Sequence, residues 1–188
     1  MKNVSEYPWP QAPNMPWTVI GKGPTFQALL DCSPSGFRMG INHVVRECKV
    51  NVAIFMDIEP LCEMREYLKR NAGAIFLPES LHVGARFDGV ATNALDIPVI
   101  QENEVYLFSA EGIWNSTAEA AFRVICKHSA CKRIVTAGID GGTEYHKLFA
   151  SRRVGTPTDN KKQFGTFTQD AAAHNMQWLK WGQTMEAA

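Results

Sequence analysis

The sequence predicts a three-layer α/β fold with a mostly parallel sheet. Short apolar segments alternate with helix-like segments along most of the chain, a pattern typical of βαβ units. Segment 51–57 is almost entirely apolar, as expected for a strand that is buried on both faces of a parallel sheet. A glycine-containing turn at 21–25 separates the first apolar segment from a helix-like segment. These three features favour helices on both sides of one sheet.

The individual elements follow from apolar periodicity and from turn residues between the segments. We expect strands at 17–20, 37–42, 51–57, 74–77 and 133–139. We expect helices beginning near residue 26 and spanning 60–70, 116–129 and 168–181. The helix at 116–129 has the clearest start, because Ser116 and Glu119 match a capping box. Segment 84–104 does not follow the alternation, and we interpret it as an insertion or irregular crossover.

Length and composition indicate one domain of ordinary size. The chain has 188 residues and no net charge, so overall charge predicts no attraction to nucleic acid or membrane. We interpret residues 1–16, which contain four prolines, as an extended N-terminal arm, and residues 17–188 as a single domain. The five cysteines form no CxxC pair, and no secretion signal precedes them, which favours reduced thiols and a cytoplasmic protein. No apolar run approaches the ~18 residues of a membrane span.

The turn Gly21-Lys22-Gly23-Pro24-Thr25 is the first candidate for ligand binding. Glycines let backbone N–H groups approach a ligand, and proline suits the first turn of the helix that follows. The N-terminus of such a helix attracts phosphate and other anions. The alternative is a tight strand–helix turn without a ligand, since the spacing matches neither a P-loop nor GxGxxG.

Two polar residues follow the next predicted strands, Asn42 after the second and Asp57 after the third. In open α/β sheets, ligands bind at the carboxyl ends of strands, so both are candidate ligand-binding residues. Asn42 can instead form an Asx turn. Asp57 and Glu59 can instead hold a divalent metal ion, and Glu59-Pro60 also suits a helix start; we favour Asp57 as a ligand-binding residue without a metal.

The segment Asn115-Ser116-Thr117 opens the capped helix at 116–129. The same backbone N–H groups can donate to a capping side chain or to a bound anion. This segment is therefore compatible with capping alone and with ligand binding.

A glycine-rich loop follows the late strand, with Asp140 at its start and Tyr145 and His146 at its end. Asp140 can orient a hydroxyl, and Tyr145 can hydrogen-bond a departing phosphate. His146 is a candidate general base, because the unperturbed pKa of histidine lies near neutrality. The alternative is a surface loop without a catalytic role.

Segment 147–163 is rich in lysine, arginine and turn residues. It is compatible with a basic lid over phosphates and with an ordinary solvated loop.

Five motifs occur in a characteristic order: Gly21-Lys22-Gly23-Pro24-Thr25, Asn42, Asp57, Asn115-Ser116-Thr117, and Gly138-Ile139-Asp140 with Tyr145. This order resembles bacterial sialyltransferases of the Campylobacter type, and also the related DUF115 group, which includes an archaeal pterin pyrophosphokinase. The resemblance implies a Rossmann-like domain that binds a nucleotide sugar without a metal. It places the turn at 21–25 at the phosphate and ribose, Ser116 and Thr117 at the donor sugar, and Tyr145 at the departing phosphate.

The chain departs from that family at two points. No histidine precedes the last predicted helix, where the sialyltransferases have a catalytic one, and Asp57 stands where they have an asparagine. His146, Asp140 or Asp170 is therefore the candidate base, with His146 preferred.

The function expected from these observations is transfer of a sugar from a nucleotide-sugar donor to an acceptor hydroxyl. The expected partners are a nucleotide sugar or nucleotide and an acceptor that the sequence does not identify (a glycan, a small molecule or a nucleic acid), with homo-oligomerisation left open. No cofactor or metal is expected. The alternatives are a Mg²⁺-dependent pyrophosphokinase or phosphotransferase of the DUF115 type, and a non-catalytic nucleotide-binding module.

Overall fold

An eight-stranded sheet, in which every neighbouring pair of strands is parallel, forms the centre of the computed structural model. The structure describes residues 1–32, 35–81, 92–93, 104–110, 116–142, 144–152 and 162–181. Helices cover both faces of the sheet. This arrangement confirms the predicted three-layer, Rossmann-like α/β fold.

Among the described residues, the strands in chain order are β1 Lys2–Asn3, β2 Trp17–Ile20, β3 Phe37–Ile41, β4 Val50–Ile54, β5 Ala72–Pro78, β6 Ser80–Leu81, β7 Thr92–Asn93, β8 Val105–Phe108, β9 Arg133–Ala137 and β10 Gln177–Lys180. The large sheet has the order β1-β8-β5-β4-β3-β2-β9-β10, and β6 pairs separately with β7 in an antiparallel ladder. From β2 the chain proceeds outwards through β3, β4 and β5 to β8, and then returns to β9 on the other side of β2. The strand order therefore reverses between β2 and β9.

In the part of the chain that the structure describes, the α-helices in chain order are α1 Phe26–Asp31, α2 Ile58–Glu63, α3 Arg65–Asn71, α4 Thr117–His128 and α5 Lys162–Ala173. Buried side chains of α4 and α5 pack on one face of the sheet, and those of α1, α2 and α3 pack on the other. Adjacent residues of one strand, such as Val52 and Ala53 in β4, belong to opposite cores. Burial on both faces explains the nearly continuous apolar sequence around β4.

The predicted helix at 168–181 is wrong in its second half. Helix α5 ends at Ala173, and Gln177–Lys180 forms the edge strand β10 beside β9. Asn175 has a φ of 53°, in the left-handed region where asparagine often ends a helix. Beyond this turn, Trp178 packs against Phe164 and Phe167 of α5. Trp178 therefore joins the core from strand β10 and does not extend helix α5.

Three other regions differ from the sequence interpretation or lie partly outside the described residues. The helix at 60–70 is divided at Met64 into α2 and α3, and strand β8 was not predicted. Within 1–16, β1 adds to the sheet edge and the side chains of Val4 and Trp9 are buried. Most of segment 84–104 lies outside the described residues.

Within the part of the chain that the structure describes, no helix combines the length and the apolar character needed to cross a bilayer.

Candidate ligand-binding cleft

A cleft of about 300 Å³ lies at the carboxyl ends of β2 and β9. The strand order reverses between these two strands, and in open α/β sheets this switch point is the usual place for a ligand. The main cleft, as we call it, is lined by Gly21, Lys22, Gly23, Ile41, Asn42, Asp57, Ser116, Thr117, Ala118, Gly138, Ile139, Asp140, Gly141, Gly142, Glu144, Tyr145 and Gln163. The structure thus brings together residues from all five motifs singled out in the sequence.

The loops after β2 and β9 form the floor of the main cleft and interlock through their backbones. The N–H of Gly21 donates to the carbonyl of Ala137 (2.7 Å), and that of Gly23 donates to the carbonyl of Gly138 (2.7 Å). A Cβ on either Gly21 or Gly138 would lie closer to the other's carbonyl oxygen than real Cβ atoms come. Gly138 also has a φ of +67°, which glycine adopts without strain. The glycines therefore serve close packing of the two loops.

Thr25 and Asp140 hold the same two loops together through side chains. The Thr25 hydroxyl donates to Asp140 Oδ1 (2.5 Å) and accepts from the N–H of Gly138 (2.8 Å). The Thr25 N–H donates to Asp140 Oδ2 (3.0 Å). Both carboxylate oxygens of Asp140 are thus engaged at the start of α1, and we call this arrangement the Thr25–Asp140 clasp.

The clasp changes the interpretation of the turn at 21–25. Its N–H groups at Gly21, Gly23 and Thr25 all donate within the protein. The start of α1, predicted to hold a phosphate, instead holds the protein's own Asp140 carboxylate. Neither Pro24 nor Thr25 is among the described residues that line the main cleft. From this turn, only Lys22 and the two glycines beside it are therefore among the described residues that line the cleft.

Lys22 brings a cation into the main cleft. Its Nζ lies 4.8 Å from the centroid of the Tyr145 ring, within the range of a cation–π contact. Burial lowers the pKa of the Lys22 ammonium from its usual value, and the negative charges of Asp57 and Glu63 oppose this shift. An anionic ligand beside Lys22 would further stabilise the charged ammonium.

Asn42 lines the main cleft directly after β3. Its φ is 53°, in a region that non-glycine residues seldom adopt and that is enriched at functional sites. Its Oδ1 is buried and has no hydrogen-bond partner among the described residues. A buried carbonyl oxygen without a partner is costly, so a ligand that donates a hydrogen bond here would recover that cost.

Asp57 lies at the position preceding α2 and lines the main cleft. Its side chain makes no capping hydrogen bond to the helix, whereas Glu59, expected near a helix start, lies in the first turn of α2. His43, directly after Asn42, is buried and pairs with Glu63 at 2.9 Å. Within the described residues, no group of three or more histidine, cysteine, aspartate or glutamate side chains is placed to hold a metal ion.

The N-terminus of α4 forms the opposite wall of the main cleft. Ser116 caps this helix as predicted, because its hydroxyl accepts from the N–H of Glu119 (3.2 Å). The same hydroxyl donates to Gln163 Oε1 of α5 (3.1 Å). Thr117 and Ala118 line the cleft in the first helical turn, where N–H groups have no acceptor within the helix. Asn115 lies outside the described residues.

Tyr145 lines the main cleft, but His146 does not. The His146 side chain is buried against Phe26 and Phe149. Its Nε2 lies 2.9 Å from Gln27 Oε1, and its Nδ1 accepts from the N–H of Leu148 (3.4 Å). With both ring nitrogens engaged away from the cleft, His146 is a packing residue in this structure. Asp140 is likewise engaged by the clasp. Asp170, the third candidate base, pairs with Arg123 and is not among the described residues that line the cleft, so none of the three keeps a geometric basis.

Gln163 is a site residue that the sequence interpretation missed. It is 7% exposed, lines the main cleft and hydrogen-bonds the cap residue Ser116. A glutamine at the start of a helix carries no motif, so nothing in the sequence distinguishes it. The predicted basic lid at 147–163 begins as the 3₁₀ helix Lys147–Arg152, and residues 153–161 lie outside the described part of the chain.

Comparison of the chain with protein-family models, curated proteins and solved structures finds no match. The functional interpretation therefore depends on the geometry of the main cleft.

Proposed function

We propose that the main cleft binds a nucleotide sugar and that the protein transfers its sugar to an acceptor hydroxyl. The observation that carries this proposal is the convergence of hydrogen-bond donors and acceptors on one cleft at the switch point of the sheet. A nucleotide sugar has the complementary composition, because it combines a phosphate with hydroxyl and amine groups. The resemblance to sialyltransferases is part of this proposal, as is a cytoplasmic location.

The donor groups orient the ligand's phosphate. Lys22 supplies a cation, and the first turn of α4 at Thr117 and Ala118 supplies N–H groups and the positive end of the helix dipole. Asn42 and Asp57, which carry acceptor oxygens, line the same cleft, and a hydroxyl or amine of the ligand is expected beside them. This orientation differs from the one implied by the resemblance, in which the turn at 21–25 holds the phosphate.

Asp57 is the proposed general base. Asp57 lines the main cleft, and its negative charge acts on the pKa of the Lys22 ammonium, so it lies close to the proposed phosphate contact. Asp57 would take the proton of the acceptor hydroxyl as its oxygen attacks the anomeric carbon. The bond between that carbon and the phosphate oxygen breaks, and the nucleotide leaves with the electron pair. Lys22, with Tyr145 beside it, would stabilise the departing phosphate.

Asp57→Asn should lower the rate of sugar transfer or donor hydrolysis by about a hundredfold, the scale of a lost general base. Asparagine keeps the size and most of the hydrogen-bonding capacity but not the basicity. The measurement is release of nucleotide from a panel of nucleotide sugars under saturating donor. Glu66→Gln is the matched control, since Glu66 is an exposed carboxylate on α3. An unchanged rate in Asp57→Asn would remove Asp57 as the base.

His146→Ala should leave turnover per folded molecule within about twofold of wild type, but lower the free energy of unfolding by about 2 kcal/mol through lost packing and hydrogen bonding. Urea denaturation and the nucleotide-release assay measure the two effects separately. His174→Ala replaces an exposed histidine and should change stability by less than ~0.5 kcal/mol. A large loss of turnover in stable His146→Ala protein would restore His146 as a catalytic candidate.

A non-catalytic nucleotide-binding module is the second candidate. The observation that favours it is that His146 and Asp140, two of the sequence's candidate bases, are both engaged in structural contacts. Tight nucleotide binding without turnover of any donor would support this candidate. A third candidate, phosphotransfer of the DUF115 type, predicts turnover that depends on ATP and Mg²⁺ and stops on addition of EDTA.

A further inference from the structure

A second cleft, of about 210 Å³, lies between the N-terminal segment and helix α4. It shares no lining residue with the main cleft. Part of its wall is apolar, formed by Val4, Phe108 and Val124, which are all buried. Another part is basic, formed by Arg123, Lys127 and His128 of α4. The second cleft therefore combines an apolar surface with a cluster of cationic or protonatable groups.

The basic part has an excess of positive charge. Arg123 and Lys127 are four residues apart in α4, and side chains at this spacing lie on the same face of a helix. Arg123 pairs with Asp170 at 3.1 Å, so one cation is compensated. No carboxylate is among the described residues that line the second cleft. The nearest acid in sequence to its N-terminal wall, Glu6, accepts from the N–H of Asn3.

His128 is held in one orientation by the N-terminal segment. Its ring stacks on Trp9, with centroids 5.8 Å apart and an interplanar angle of 17°. Trp9 is itself fixed, because its indole N–H donates to the carbonyl of Val4 (2.9 Å). Burial, and then the charge of Lys127, lower the pKa of His128 from its usual value. An anion in the second cleft would oppose both effects and favour the protonated ring.

We propose that the second cleft is a binding site for a compact oxyanion attached to an apolar group, such as an aryl phosphate or an aryl carboxylate. The oxyanion contacts Lys127 and His128, and the apolar group lies against Val4, Phe108 and Val124. This site is independent of the function proposed for the main cleft. A neutral aromatic compound lacks the charge, and inorganic phosphate lacks the apolar contact, so each should bind more weakly.

Binding at this site should take up a proton. The charge of Lys127, on the same helix, acts on His128, and Trp9 of the N-terminal segment stacks on its ring. Arg123, Phe108 and Ser109 line the same cleft. The pKa of His128 is lowered in the free protein, and a bound anion raises it, so affinity should rise as pH falls from the bound-state to the free-state pKa of His128. For one coupled proton, the affinity can change by at most about tenfold per pH unit.

The experiment follows the imidazole signals of the protein by NMR during titration with phenyl phosphate, benzoate, inorganic phosphate and phenol. The chain has five histidines, and His128→Gln identifies the relevant signal by its disappearance. We expect a saturable shift of the His128 signal and a raised His128 pKa with phenyl phosphate or benzoate, and weaker binding of inorganic phosphate and phenol. The tighter of the two aryl anions identifies the preferred head group. The signal of the exposed His174 serves as an internal reference.

Lys127→Gln should weaken the binding of the preferred aryl anion about tenfold, which is the scale of one charge-assisted hydrogen bond. Lys49→Gln, which removes an exposed lysine outside this cleft, should leave the affinity unchanged. Lys127 is exposed, so its replacement should not disturb folding. The proposal is overturned if His128 shows no saturable shift with either aryl anion, if His174 shifts in parallel, or if Lys127→Gln binds as tightly as wild type.

Discussion

Gly138→Ala is expected to lower the free energy of unfolding by about 4 kcal/mol. An alanine at a φ of +67° costs about 1–2 kcal/mol in backbone strain. Its Cβ would also press on the carbonyl group of Gly21, and such overpacking costs a further 1–3 kcal/mol or so. The measurement is the urea midpoint and slope of the variant relative to wild type.

Gly165→Ala is the matched control for this prediction. Gly165 lies inside helix α5, and a Cβ there would meet no other atom within 4 Å. Alanine should stabilise the helix by about 0.5–1 kcal/mol, because glycine loses more conformational freedom on folding. A Gly138→Ala protein as stable as wild type would show that the loops after β2 and β9 do not pack as described.

Thr25→Val is expected to cost about 3 kcal/mol and to weaken ligand binding in the main cleft at least about tenfold. Valine keeps the shape but breaks both hydroxyl hydrogen bonds, leaving the Asp140 carboxylate and the Gly138 N–H each short of a partner. An unsatisfied part-buried group costs roughly 1–3 kcal/mol, and more when it is charged. Binding should fall because Asp140 and Gly138 both line the cleft. Urea denaturation and calorimetry measure the two effects.

Thr25→Ser separates the clasp from simple packing. Serine keeps the hydroxyl and loses only a methyl group, so stability should fall by about 1 kcal/mol and binding should stay within about threefold of wild type. A Thr25→Ser protein as impaired as Thr25→Val would indicate that the methyl group, and not the pair of hydrogen bonds, holds the loops.

The sequence predicted the sheet and much of the main cleft because their signals are local. Apolar runs mark β2 and β4, and the residues at strand ends, such as Asn42 and Asp57, are expected to converge wherever parallel strands share an edge. The structure places both of these in one cleft with Lys22 and Ser116. Their convergence needed only the strand order and no knowledge of side-chain contacts.

The remaining features depend on contacts distant in sequence. Asp140 and Thr25 are 115 residues apart, so no local pattern shows that one carboxylate occupies the start of α1. His146 is directed inwards because Phe26 and Phe149 provide a surface for its ring. The end of α5 is different, because Asn175 is a helix-stop signal that the sequence contains. The predicted helix at 168–181 continued past this signal.

The most direct test of the account is a thermal-denaturation screen of wild type and Asn42→Gly against nucleotides and nucleotide sugars. Glycine tolerates the φ of 53° at this position, so the variant removes the amide without straining the backbone. A ligand at ~100 times its Kd should stabilise wild type by about 2.7 kcal/mol, which corresponds to a rise in Tm of about 5–10 °C. The account predicts such a rise with at least one nucleotide or nucleotide sugar, and a clearly smaller rise in Asn42→Gly. No rise with any of these ligands, or an equal rise in Asn42→Gly, would contradict it.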